Sequence, residues 1–191
     1  MAVLALSFSA EVGSVALVHS AGFVARESAR KVAGATPGMM VREVLQESGA
    51  PSPLAVAVAL GPGSYTGVRM AVSFAKSFAL VRGIPLFACT DHAAIAALYA
   101  QDGEEVLVRH QGHGVRDYWS RYRGAATWPT CLSAESLGVA PPADGLRVLG
   151  DRGSHHVNVQ VHARDLGGLA LCGRMPRAEL LLVEPTLPQA V

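Results

Sequence analysis

Apolar and polar positions along the first hundred residues fall into short strand-like blocks and longer helical ones. Ala2 to Phe8 is an apolar strand, Glu11-Val12-Gly13 supplies a turn, and Ser14 to His19 makes a second strand. Gly22 to Glu27 reads as a third, so the chain opens as a meander. Thr36-Pro37 has the form of an N-cap with proline at the first helical position. The helix it predicts runs from Pro37 to Ser48, ended by Gly49 and the breaker Pro51-Ser52-Pro53. Leu54 to Ala59 lacks alternating polarity and predicts a strand covered on both faces. After Gly61-Pro62-Gly63, a long helix is expected from Ser64 to Val81, closed by Gly83-Ile84-Pro85. Leu86 to Cys89 is another buried strand, and Asp91 is expected to cap a helix reaching Ala100.

The second half has weaker patterning. Val106 to Arg109 and Tyr118 to Tyr122 predict a hairpin around Gly112-His113-Gly114. The proline- and glycine-rich stretch from Gly138 to Gly145 precedes a strand at Leu146 to Leu149. From His155 to Leu182, helical signals are interrupted by glycines. A meander followed by alternating helices and strands predicts an α/β layered sheet, with a smaller second lobe beginning at Gly103. The expected division is 1–102 and 103–191.

Composition removes several classes of function. Sixteen basic residues stand against fifteen acidic ones. Split at Gly103, the halves carry seven against six and nine against nine, so neither is the basic lobe that independent nucleic-acid binding needs. Leu54 to Leu60 is an apolar run of seven residues, against roughly 20 for a membrane span. The apolar start, Met1 to Leu6, has no preceding Lys or Arg, unlike a secretory signal. Cys89, Cys131 and Cys172 are odd in number and widely spaced, which suits reduced thiols rather than disulfides or zinc. A cytoplasmic globule is the expectation.

Chemistry concentrates at Gly61-Pro62-Gly63-Ser64-Tyr65-Thr66-Gly67-Val68-Arg69, between a strand and a helix. Glycines permit a sharp turn, and a helix N-terminus offers free N–H groups, the ingredients of a phosphate cradle. A Walker loop would need Lys and then Ser or Thr after the last glycine, where Val68-Arg69 stands. The spacing does not match a dinucleotide fingerprint, and Pro62 has no N–H. On chemistry alone the loop is a close-packed strand-to-helix turn, with Gly61, Gly63, Ser64 and Gly67 as weak nucleotide-binding candidates.

The run from Val56 to Ala88, VAVALGPGSYTGVRMAVSFAKSFALVRGIPLFA, closely resembles the TsaB (YeaZ) family. These are small proteins of the actin/hexokinase-like (ASKHA) superfamily that act in making threonylcarbamoyladenosine on tRNA. The GPGSYTGVR string is shared with the larger relative TsaD, and the order of elements from Met1 to Ala100 fits too. Beyond that, Val106 to Arg123 is similar to a family hairpin, and Gly150-Asp151 to its GDG turn. The resemblance implies a complete N-terminal actin-like lobe and a reduced C-terminal one. It also implies a non-catalytic scaffold that binds and activates TsaD.

Departures from the family pattern bear on catalysis. Where the family's first strand usually ends in Asp-Thr-Ser, this chain has Ser7-Phe8-Ser9. TsaD carries two metal-binding histidines spaced H-x-x-x-H; here His92 is followed by Ala96 at the second position, and a lone imidazole does not hold a metal. Near the family's Asp-Ala-Arg stands Gln111-Gly112-His113. These differences imply no cofactor, no metal and no chemistry of its own. ATP and the transfer step would belong to TsaD, with the ATPase TsaE as a further member of the complex. A weak or regulatory nucleotide-binding domain is the alternative. A glycoprotease is least supported, because H-E-x-x-H is absent and Ser64 lacks a G-x-S-x-G elbow.

The remaining polar clusters read as solvated surface. His110 with His113, and His155-His156 with His162, have no evident companion carboxylate, and Glu104 and Glu105 are adjacent and therefore diverge on a strand. The helices say more. On a wheel of about 100° per residue, Arg69, Ser73, Lys76 and Ser77 form a narrow polar strip. The apolar arc spans about 200°, twice what one sheet face needs, so part of it should meet a second surface. Ser73 and Ser77 permit close approach of another helix, and Met39 and Met40 are adaptable contact residues. With the resemblance, the expected interface for TsaD or a homodimer comprises Met39, Met40, Glu43, Arg69, Met70, Ser73, Phe74 and Ser77.

Overall fold

The computed structural model describes residues 1–10, 12–29, 36–49, 52–111, 117–138, 145–150, 161–179, 183–184 and 189–190. These residues group into two compact units. One comprises Met1–Cys89 with Val161–Pro185, and the other Thr90–Gln160 with Thr186–Val191. The expected division at 102/103 differs from this grouping in two places. The helix after Cys89 groups with the second unit, and the chain returns to the first unit at Val161.

The first unit is built on a six-stranded sheet. Strands β1 (Ala2–Ser7), β2 (Val12–His19) and β3 (Gly22–Ala29) form the expected antiparallel meander. Strands β4 (Ala55–Ala59) and β5 (Leu86–Cys89) add in parallel beside β1, reached through helices α1 (Pro37–Ser48) and α2 (Tyr65–Arg82). A two-residue strand, β10 (Arg177–Ala178), completes the order β10-β5-β4-β1-β2-β3. Thr36 and Ser64 cap the two helices, and Gly49 and Gly83 end them in the left-handed conformation.

Both sheet faces are covered, and side-chain size distinguishes them. Leu4, Leu6, Val15, Leu17, Val56 and Val58 join Met40, Val41, Val44, Val68 and Val72 in one core beneath α1 and α2. The alternate positions, Ala5, Ala16 and Ala57, are small and fully buried. Helix α4 (Ala163–Leu171) packs on β1 and β2 there, so closely that a Cβ on Gly167 would lie 2.5 Å from the Val18 side chain. Ser7 Oγ donates to the Val161 carbonyl (2.6 Å), and Ala163 N–H donates to Ser14 Oγ (2.9 Å), fixing the entry to α4.

The second unit carries α3 (Asp91–Tyr99) and a five-stranded sheet. Its strands are β6 (Glu105–Gln111), β7 (Asp117–Arg123), β8 (Thr130–Gly138), β9 (Arg147–Gly150) and β11 (Gln189–Ala190), in the order β11-β8-β7-β6-β9. Antiparallel β6 and β7 confirm the expected hairpin; its turn at 112–114 lies outside the described residues, as do Asp151 and His155-His156. The cap of α3 is Thr90 rather than Asp91: Thr90 Oγ1 accepts from Ala93 N–H at 3.1 Å. Strand β8 was not anticipated.

Candidate functional site

The glycine loop is held against the β1–β2 connection. Gly61 and Gly63 have positive φ, and a Cβ on Gly63 would strike the Ser9 carbonyl. Ser64 N–H donates to that same carbonyl (2.8 Å), while Ser64 Oγ accepts from Gly67 N–H (3.3 Å). Phe8, in the middle of the Ser7-Phe8-Ser9 triplet, is buried with its ring over Gly13. Ser7 is also buried, its hydroxyl committed to Val161. The four loop candidates thus come together as a packed turn with two of its N–H groups already bonded.

The surface drawn from the two helices is brought together with two changes. Helix α2 lays its small residues, Gly67, Ala71, Ala75 and Ala79, with Val68 and Val72, into the unit. Arg69, Met70, Ser73 and Ser77 face solvent as expected. Tyr65 is exposed beside Arg69, whose guanidinium stands 5.0 Å from the Tyr65 ring centre. Phe74 is half-buried, stacked on Phe78 at 5.8 Å and lying against Gly38 of α1. On α1, Met39 and Glu43 are exposed. Met40 is only 4% exposed and belongs to the core, because it falls one helical turn before Val44 on the sheet-facing side. Lys76 also leaves the polar strip: its ammonium donates to the Val183 carbonyl.

Sequence reasoning missed the end of α2. Leu80 is 67% exposed and Val81 83%. Residues 66, 70, 73, 77, 80 and 81 follow one another at helical steps, forming an outward stripe that is apolar or small along the whole helix. Dividing the wheel into a polar strip, with Ser73 and Ser77, and an apolar arc hides this stripe, because it takes residues from both.

A second cluster forms in the other unit. His92 is completely buried, with Nδ1 2.6 Å from Ser120 Oγ and Nε2 3.0 Å from His110 Nδ1. Burial, then the charge of His110, holds its pKa well below the usual histidine value. His110 is therefore not the solvated residue expected; it is half-buried between His92 and Tyr118. Nearby, Glu104 binds Arg147 and Glu105 binds Arg121 and Arg123. The Arg147 hydrogen bond lowers the Glu104 pKa, and the Arg123 hydrogen bond lowers that of Glu105. Among the described residues, no three His, Cys, Asp or Glu side chains converge as a metal site.

The architecture defines an α/β protein of two units, each built on a mixed sheet. The family model of TsaD, the tRNA N6-adenosine threonylcarbamoyltransferase, matches residues 14–122. The solved YeaZ of Pseudomonas aeruginosa is 26% identical with a TM-score of 0.74, covering 97% of this chain and 99% of that one. A second structure, a protein with similarity to the peptidase YeaZ of Pseudomonas aeruginosa, is 25% identical with the same TM-score, covering 97% and 98%. No curated protein matches. The chain belongs to the TsaD family, on its TsaB/YeaZ side.

Proposed function

We propose that this chain is a non-catalytic cytoplasmic partner of TsaD in the threonylcarbamoyladenosine modification of tRNA, docking through the outward face of α2 with Met39 and Glu43 of α1. The carrying observation is the outward stripe of α2, in which Met70, Leu80 and Val81 are exposed and the small residues Ser73 and Ser77 lie between them. Covering large apolar side chains contributes about 1.5–3 kcal/mol each, and contiguous exposed patches of this kind mark contact surfaces. Ser73 and Ser77 at its centre let a partner helix approach closely. TsaD carries ATP and the transfer chemistry, TsaE is a further member, and a homodimer uses the same face when TsaD is absent.

The packed glycine loop and the Ser7-Phe8 pair support a scaffold over a nucleotide-binding domain. No helix of the described residues is long and apolar enough to cross a membrane, which accords with a soluble partner. The test is light scattering after size exclusion, on the chain alone and mixed with TsaD from the same organism. A mixed complex that Ser73→Trp abolishes is the expected result. Failure of the wild-type chain to associate, or stabilisation of the free chain by Mg-ATP, would overturn the proposal.

A further inference from the structure

The buried line Ser120–His92–His110 lies within the second unit and plays no part in the proposed docking. Which atom donates in each bond depends on the tautomer of His92. An O–H donor gives separations near 2.7 Å, and an N–H donor near 2.9–3.0 Å. With both imidazoles neutral, the 2.6 Å separation suits Ser120 donating its hydroxyl proton to His92 Nδ1. The one proton of neutral His92 then sits on Nε2, and at 3.0 Å it is donated to His110 Nδ1, which must be bare. Neutral His110 accordingly carries its proton on Nε2.

Among the described residues, the ionisable groups around this line are few. From β6 comes His110 itself, and from β7 come Tyr118 and Tyr122, whose hydroxyl is 3.3 Å from Thr90 Oγ1. Strand β9 contributes Arg147, bonded to Glu104 and to the Tyr99 carbonyl, and α3 contributes Asp91. Arg109 and Asp117, on the alternate face of the hairpin, bind each other at 2.7 Å. His110 stands at the half-exposed end of the line, and imidazole is the side chain whose ordinary range lies nearest neutral pH.

We propose that the three residues form a pH-operated polarity switch, in which protonation of His110 reverses both hydrogen bonds without charging His92. A second proton on His110 occupies Nδ1, so two N–H groups would face each other if His92 kept its proton on Nε2. The line survives only when His92 holds that proton on Nδ1 and donates to Ser120, while His110 donates to His92 Nε2. Net uptake is one proton from solvent, resident on His110; His92 keeps a single proton throughout, consistent with the burial that disfavours its cation. The switch changes Ser120 from donor to acceptor, so a proton at the half-exposed end of the line alters a hydrogen bond in the interior.

Nitrogen-15 NMR of the imidazoles in the full chain, from about pH 8 to 5, tests this. The expected result is that the protonated nitrogen of His92 changes from Nε2 to Nδ1 with the same midpoint as the titration of His110. In His110→Gln the His92 tautomer becomes independent of pH. A fixed tautomer in the wild-type chain while His110 titrates, a second proton on His92, or reversal persisting in His110→Gln would each overturn the switch.

Discussion

Lys76 Nζ donates a 2.9 Å hydrogen bond to the carbonyl of Val183, 107 positions further along the chain. The residue that looked like part of a solvent-facing strip on α2 instead ties the helix to the returning C-terminal segment, and Val183 joins the core there. Lys76→Met keeps the stem and removes the donor. The expected cost is about 1–2 kcal/mol, seen as a drop of several degrees in Tm, with binding through Met70, Ser73 and Ser77 retained. An unchanged Tm would show that the tether contributes nothing.

Neighbouring residues on α2 should separate folding from docking. Phe74 is half-buried against Phe78 and Gly38, so Phe74→Asp places a charge in packed surroundings and is expected to cost about 3 kcal/mol or more. Ser73 is exposed, and Ser73→Trp should leave the unfolding midpoint within about 0.5 kcal/mol of wild type while blocking association. Denaturant unfolding alongside size exclusion reads both. Loss of the monomer's stability in Ser73→Trp would place that side chain in the packing rather than on a docking face.

Gly63 combines a φ of 156° with direct apposition to the Ser9 backbone. Gly63→Ala is therefore expected to destabilise the chain by about 2–4 kcal/mol, from backbone strain and from parting the loop from β1. Gly49→Ala, where no atom lies within 4 Å of the added Cβ, carries strain alone and should cost less. Equal losses from the two substitutions would contradict the close packing of the loop.

The buried imidazole predicts a pH window. His92 is held neutral in the folded chain, with its pKa well below the ordinary value of about 6.5 that the unfolded chain has. As pH falls below about 6.5 the unfolded chain takes up a proton that the folded one refuses, so stability declines until pH reaches the depressed folded value. Glu104 and Glu105 act lower, because their stabilising ion pairs fade only as pH falls from the ordinary carboxylate range toward their lowered values. Unfolding midpoints of wild type and His92→Gln at about pH 7.5 and 5.5 check this. The variant should be less stable at the higher pH and show a flatter slope; identical slopes would remove His92 as the cause.

Much of the first unit was legible because its signals are local. Thr36-Pro37 and Gly49 mark the ends of α1, and Leu86 to Cys89 appears as expected. Cores pack by size as well as polarity, and the run from Ala55 to Ala59 shows what polarity alone misses: valines face α1 and α2, while alanines admit α4. Met40 and Lys76 were misplaced because a wheel does not show which neighbour each side meets. The approach of His110 to His92 depends on pairing residues 18 apart through the fold, which spacing cannot reveal. Strand β8 was missed because its residues, Thr130–Gly138, mix charge and hydroxyls without clear alternation.

The discontinuity of the first unit imposes an order on synthesis. When Cys89 has left the ribosome, five strands of its sheet exist, yet the helix that presses Gly167 against Val18 and Ala5 is more than seventy residues away. Until it emerges, one face of that sheet is bare alanine and valine. A chain cut short before Val161 therefore carries an uncovered layer that chaperones and proteases can recognise, so quality control can distinguish finished chains from unfinished ones by whether α4 has been delivered.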